Sequence, residues 1–280
     1  MKIKVWGCRG SLPSPGPQTL RYGGNTTCLE LRSDQGAVLV IDAGSGMRLL
    51  GKELLKDKSV NEIYFFLTHC HWDHLAGFPF FVPAYSDRFT IHVYGGPKDQ
   101  RSVKKVLAHQ VEPPYFPVDF SNMRAKFYYG KDCPRLETVG FHDFDGLRLS
   151  HPNGGYGCRL SNQGKTFVFL TDNELSFPHP GGLSRDQYLE FCRGADLLFH
   201  DAQYTLDDYK LTRGWGHTTY DDATDLAIEA GVKRLGLFHH DPDRTDDDLE
   251  RQLERCRQRI RKAGANVDCF AVAEGQVFDF

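Results

Sequence analysis

The chain has 280 residues, 40% of them apolar, with 28 glycines and 14 prolines. That length suits one large domain or two ordinary ones, and it can bury a sizeable core. Charged residues make up 25%, which excludes wholesale disorder, and 34 Lys and Arg against 37 Asp and Glu leave a formal net charge of -3. Without a basic excess, a high-affinity nucleic-acid binder is not expected, whereas a small phosphate substrate stays open.

Residues 1–6 enter an alternating, strand-like run with no apolar signal core, and no stretch approaches the roughly 18 apolar residues of a membrane span. The eight cysteines (Cys8, Cys28, Cys70, Cys133, Cys158, Cys192, Cys256 and Cys269) form no CxxC pair. They are expected as reduced thiols in a cytoplasm, most of them acting as small buried apolar groups.

Alternation and β-branched content predict strands over 3–6, 27–32 and 37–41, a helix over 47–55 and a short buried strand over 63–67. A strand over 91–94 precedes helical spacing over 99–109. The stretch 111–129 is rich in Pro and aromatics, and Pro113, Pro114 and Pro117 forbid a helix interior. An ordered loop with an edge strand is expected there, placed where a lid could form. A second half opens near Val139. Its expected strands are 147–150, 156–161 and 166–170, with Asn162-Gln163-Gly164 as a hairpin turn. A helix over 183–193, a strand over 197–199 and a helix over 220–230 stopped by Gly231 follow. After a strand over 235–238, residues 246–262 form a charged amphipathic helix, with Thr245 as N-cap and Gly264 beyond its end. Strands over 267–272 and 276–279 close the chain. No low-complexity linker intervenes, so one domain over 1–280, with two packed αβ halves, is expected.

The decisive segment is Thr68-His69-Cys70-His71-Trp72-Asp73-His74, directly after the strand 63–67. Imidazole and carboxylate together suit Zn²⁺ or Mn²⁺, and such a cluster is a poor way to build a core. His69 and His71 alternate on an extended strand end and can reach one ion. Asp73 and His74 come one turn later and can face a second.

HxHxDH after a buried strand resembles the metallo-β-lactamase superfamily, whose fold is a four-layer αββα sandwich of two β-α halves. The resemblance implies further ligands. His151 in Ser150-His151-Pro152 sits where the family places its next metal histidine, and Asp172 in Leu170-Thr171-Asp172 matches the carboxylate that bridges two metals. His239, ending the strand 235–238, matches the last metal histidine. His240 is the rival for that role, and register favours His239 because it stands at the strand end. Asp42 in Ile41-Asp42-Ala43-Gly44 matches the early family Asp that orients the histidine loop. His200-Asp201-Ala202 followed by Gly216-His217-Thr218 looks like the paired loops of the ribonuclease Z and cyclic-nucleotide phosphodiesterase branch. There the motifs read His-Glu-Ala-Thr and His-Ser-Thr. Here Asp201 replaces Glu, Gln203 replaces Thr and Thr218 replaces Ser. The openings Gly7-Cys8-Arg9-Gly10-Ser11 and Tyr22-Gly23-Gly24-Asn25-Thr26 also look like this branch.

By this resemblance, one ion takes His69, His71, His151 and Asp172, and the other takes Asp73, His74, Asp172 and His239. Zn²⁺ is expected, with Mn²⁺ or iron as alternatives. The expected reaction is hydrolysis of a small phosphodiester, a cyclic nucleotide foremost. A water activated as hydroxide between the metals would attack, Asp73 orienting it, and His217 held by Asp201 would protonate the leaving alkoxide. Lactone or thioester hydrolysis at the same metals is the rival, as is transfer-RNA 3′-end processing. Ribonuclease Z carries a long basic arm between the motifs of His151 and Asp172, whereas here Asp172 follows His151 by only 21 positions, filled by one hairpin. With the balanced charge, that leads to the expectation that no large nucleic acid is a partner. No membrane partner is expected, and a homodimer is compatible with these features. Flavodiiron members carry an acidic residue where His71 stands, together with a flavin domain for which no length remains. A closed structural zinc site would use four ligands, not seven candidates.

Overall fold

The structure, a computed structural model, describes residues 1–95 and 103–280. They divide into two compact units. Met1–Gly7, Asn25–Phe141 and Glu274–Phe280 form the first; Cys8–Gly24 and His142–Ala273 form the second.

The first unit runs β1 (Lys2–Gly7), β2 (Cys28–Arg32), β3 (Val38–Ile41), α1 (Met47–Lys56), β4 (Glu62–Leu67), β5 (Thr90–Gly95), α2 (Val103–His109) and β6 (Lys126–Tyr129). The second runs β7 (His142–Arg148), β8 (Tyr156–Asn162), β9 (Lys165–Leu170), α3 (Arg185–Cys192), β10 (Leu197–Asp201), α4 (Leu206–Thr212), α5 (Tyr220–Glu229), β11 (Arg234–Phe238), α6 (Asp246–Lys262) and β12 (Asp268–Ala271). The last strand, β13 (Val277–Asp279), returns to the first unit.

The first unit's sheet has the order β13-β1-β2-β3-β4-β5-β6. Its β1, β2 and β3 are antiparallel, and β3 to β6 are parallel, with Ile41 opposite Phe66. Val38, Val40, Ile63, Phe65, Ile91 and Val93 alternate onto one face. On that face α1 lays Met47, Leu50 and Leu54, spaced at helical period, and α2 lays Leu107.

The second unit's sheet has the order β12-β11-β10-β9-β8-β7. The strands β9 to β12 are parallel, so β9, β10 and β11 end at the same sheet edge. One face carries Val168, Leu170, Leu198, Leu235 and Leu237, covered by α3, α5 and α6. Helix α6 contributes Leu249, Leu253, Cys256 and Ile260, a stripe at i, i+4, i+7 and i+11. Its N-terminus is a capping box between Thr245 and Asp248.

Most expected elements are present with ends shifted by a residue or two. The hairpin turn has positive φ at both Gln163 and Gly164, the geometry a two-residue turn requires. The expected helix 99–109 is seen from Val103; its opening lies outside the described residues. In 111–129, β6 is the edge strand, and Phe116, Phe120, Phe127 and Tyr129 pack on the first unit's core. Helix α4 was not expected from the sequence, although Thr205 and Asp208 form a capping box at its start. Residues 8–24 and 274–280 belong to the opposite halves from those their sequence position suggests. Among the described residues, no helix is long and apolar enough to cross a membrane.

Candidate metal centre and general acid

In the first unit, the parallel strands β3 and β4 end side by side and deliver Asp42 and His69. The Asp42 carboxylate is fully buried; it accepts the Thr68 backbone N–H at 2.8 Å and the Thr68 hydroxyl at 2.8 and 2.9 Å. It also accepts the Nδ1–H of His74 at 2.8 Å. The Thr68 hydroxyl in turn meets His69 Nδ1 at 3.1 Å. Asp42 therefore orients His74 directly and His69 through Thr68, leaving Nε2 as the outward nitrogen of both rings. Burial raises the Asp42 carboxyl above the usual range, opposed by His74 and Thr68.

A 3₁₀ turn over Trp72–His74 brings Asp73 Oδ2 to 3.3 Å from His74 Nε2. The ring of His69 lies 4.6 Å from that of His71 and 4.1 Å from that of His74. Cys70 sits within the same segment, and burial pushes its thiol up to about 11. One unit thus gathers His69, His71, Asp73 and His74.

In the second unit, Asp172, Asp201 and His239 stand at or just past the ends of β9, β10 and β11. The two Asp172 oxygens face different histidines: Oδ1 lies 3.2 Å from His239 Nε2 and Oδ2 lies 3.7 Å from His151 Nε2. That is the geometry of a carboxylate able to serve two ions. The other nitrogens are held: His151 Nδ1–H donates to the Gly216 carbonyl and His239 Nδ1–H to Gln203 Oε1, both at 2.9 Å. The rival His240 has different company. Its Nε2–H donates to the Val272 carbonyl at 2.7 Å, and burial beside Arg9 depresses its pKa to about 3.

The N-terminal segment of this unit frames His239. Gly10 N–H donates to the His240 carbonyl at 2.8 Å, and His240 N–H donates to the Cys8 carbonyl at 3.0 Å. A Cβ on Gly10 would fall 2.4 Å from His239 Nδ1, so no larger residue fits beside that ring. The buried Arg9 guanidinium donates to the carbonyls of Gly23, Asp241 and Arg244, tying the same turn down.

His217 Nδ1–H donates to Asp201 Oδ2 at 2.7 Å, and its ring lies 17° from parallel to that of His239, with centroids 4.9 Å apart. The shorter Asp therefore reaches His217 as well as a Glu would need to. Asp201 Oδ1 accepts the N–H groups of Gln203 and Thr218 at 3.2 and 3.3 Å. Donor atoms of Asp201, His217 and His239 lie within 4.8 Å of one another, but both Asp201 oxygens are already committed to fixing this loop.

The donor set fits a divalent metal. His69, His74, His151 and His239 each give Nδ1 to a protein oxygen, the arrangement that sets the tautomer of a metal-binding imidazole. Two contributors went unread in the sequence. Gln203, noted only as a departure from a motif, holds His239. Glu174 was not singled out; its buried carboxylate meets donors that come from residues 179 to 216 in the chain.

Comparison with known proteins identifies the fold and the family. Ribonuclease Z from Streptococcus gordonii is 28% identical over 259 residues, covering 75% of this chain and 81% of its own. The metallo-beta-lactamase fold protein YhfI from Bacillus subtilis superposes with a TM-score of 0.67 at 19% identity over 99% of both chains. The short form of human tRNase Z superposes with a TM-score of 0.63 at 20% identity, over 100% of this chain and 99% of its own. The expectation that no large nucleic acid is a partner is overturned by these relatives, named for cutting RNA. A net charge summed over the whole chain says nothing of the local field at a site, and a short 151–172 connection excludes an arm only at that position. The model of the beta-lactamase superfamily domain matches residues 38–240, and with the α/β metallo-β-lactamase fold of its neighbours the chain belongs to that superfamily as a metal-dependent hydrolase.

Proposed function

We propose that the chain hydrolyses a phosphodiester. The observation that carries this reading is the buried His217–Asp201 pair beside His239. Acyl transfer does not require such a pair, whereas expulsion of an alkoxide from phosphorus needs a proton at the leaving oxygen. Asp201 fixes His217 with Nδ1 protonated and stabilises the imidazolium, so His217 Nε2 is the atom that gives up the proton. His69, His71, His151 and Asp172 are the proposed ligands of one divalent ion, and Asp73, His74, Asp172 and His239 those of a second, with Zn²⁺ first in preference. Bound there, the ions supply Lewis-acid polarisation of the phosphoryl oxygen and acidify water. Asp73, beside His74 Nε2, is placed to accept a hydrogen bond from the attacking water.

A small diester such as a cyclic nucleotide is the first substrate to test, because the 151–172 connection is one hairpin. An RNA 3′-processing substrate is the second reading, favoured by the ribonuclease Z relatives. The test is a hydrolysis panel on metal-loaded protein with cyclic mononucleotides, cyclic dinucleotides, precursor transfer RNA, lactones and thioesters. Cleavage of any phosphodiester with lactones and thioesters untouched supports the reaction class and picks the substrate. Turnover of a lactone or thioester with every diester intact overturns it.

A further inference from the structure

We propose that Glu174 is a positioning residue that fixes the 213–217 loop and thereby sets both His217 and His151. The proposal rests on the reading of His217 as acid and His151 as ligand. It assigns a role to a residue outside both.

The Glu174 side chain is fully buried, and all four of its close polar neighbours are donors. Oε1 accepts the Tyr209 hydroxyl at 2.6 Å and the Gly214 N–H at 2.8 Å. Oε2 accepts His179 Nε2–H and the Gly216 N–H, both at 2.7 Å. Two of the four donors are thus backbone amides of one short loop. The Gly216 carbonyl, on the other side of the same residue, accepts His151 Nδ1–H, and His217 is the next residue.

That loop needs such an anchor. Gly214 and Gly216 both have positive φ, +87° and +98°, and glycine gives up more backbone freedom on ordering than any other residue. Gly216 has no substitute, since a Cβ there would lie 2.1 Å from His151 Nδ1. Neither residue can be held by a side chain of its own. Position 174 is well placed to hold them, coming two residues after Asp172, and its own N–H donates to the Ser150 carbonyl at 2.8 Å. Next to it, Thr218 Oγ accepts the Leu175 N–H at 3.1 Å and donates to the Asn173 carbonyl. The strand end bearing Asp172, the segment bearing His151 and the loop bearing His217 are therefore joined at Glu174, the loop through its carboxylate and the Ser150 carbonyl through its backbone N–H.

A carboxylate is specifically required. Glu174→Gln keeps the shape but turns one oxygen into an NH₂ group. Tyr209 and His179 can turn round and accept from it, whereas Gly214 or Gly216 N–H cannot. One loop amide then loses its acceptor. Glu174→Asp keeps the charge but falls short by one methylene.

Hydrogen exchange followed residue by residue provides a test independent of turnover. In the unaltered protein the Gly214 and Gly216 amides should be among the slowly exchanging ones despite their place in a loop; exchange at loop rates there overturns the proposal. In Glu174→Gln at least one of the two should exchange tenfold faster or more, with Glu174→Asp intermediate. Cobalt titration should show metal affinity weakened by roughly 10–100-fold through His151. Turnover should fall more on a poor leaving group than on a nitrophenyl diester. A folded Glu174→Gln with both amides exchanging as before, and with affinity unchanged, overturns the assignment; if that variant does not fold, the same readings on Glu174→Asp and on the unaltered protein decide. His217→Ala separates the two claims. If it shows no leaving-group dependence, the acid reading fails, while exchange and metal affinity still judge Glu174.

Discussion

Asp42 accepts the Nδ1–H of His74 at 2.8 Å and, through the Thr68 hydroxyl, governs the ring of His69. One buried carboxylate thus sets two imidazoles of the proposed metal centre without itself being in either ligand set. Asp42→Asn should weaken metal binding by roughly 10–100-fold, because the amide presents NH₂ to one of its donors and removes the charge that makes the imidazole a better ligand. Isothermal titration of metal-free protein with Zn²⁺ measures this. Unchanged affinity would mean that the orientation of His74 does not depend on Asp42.

The acid role of His217 predicts a dependence on leaving group. His217→Ala should lower kcat by roughly 100-fold or more on a diester with an alkyl leaving group, the usual scale for general acid catalysis. On an activated nitrophenyl diester, which leaves without a proton, the loss should be much smaller. Asp201→Asn should follow the same pattern, since the amide no longer enforces Nδ1 protonation. Equal losses on both substrates would assign His217 to substrate binding.

Gly10 predicts an asymmetric loss of metal. A methyl group at 2.4 Å from His239 Nδ1 must push the ring or the strand aside. Gly10→Ala should therefore lose the ion proposed for Asp73, His74, Asp172 and His239 before the other. Elemental analysis of purified Gly10→Ala should approach one equivalent where the parent approaches two. Two equivalents in both would show that the turn at 239–240 yields without disturbing the ligand.

Much of this was legible in the sequence because the residues concerned make no sense as core. Three histidines and an aspartate after an apolar strand demand a polar purpose, and a strand end is where parallel sheets present one. Asp172, Asp201 and His239 came instead from the resemblance of their motifs to those of the family. Glu174 could not be placed, since an acidic residue after a strand looks like a solvated surface group until Tyr209, Gly214 and Gly216 are folded onto it. The assignment of residues 8–24 to the second unit was equally hidden, because the contacts of Arg9 with Asp241 and Arg244 span more than 230 residues of chain. Helix α4 is a different case: its Thr205–Asp208 capping box was readable, but only two turns of chain followed it.

Metal removal separates a catalytic centre from a structural one. Each unit holds its own hydrophobic core, so folding does not depend on the ion as it does in a small zinc module. Chelation should abolish turnover and leave the far-ultraviolet circular dichroism essentially intact. The midpoint of thermal unfolding should nevertheless fall. An ion at a hundredfold excess over its Kd contributes about 2.7 kcal/mol by mass action, and in a chain of this size that corresponds to roughly 5 °C for each site. Returning Zn²⁺ should restore both midpoint and activity in step. Collapse of the secondary structure on chelation would mark the metal as part of the fold, and a midpoint that does not move would mean that these ligands hold no ion.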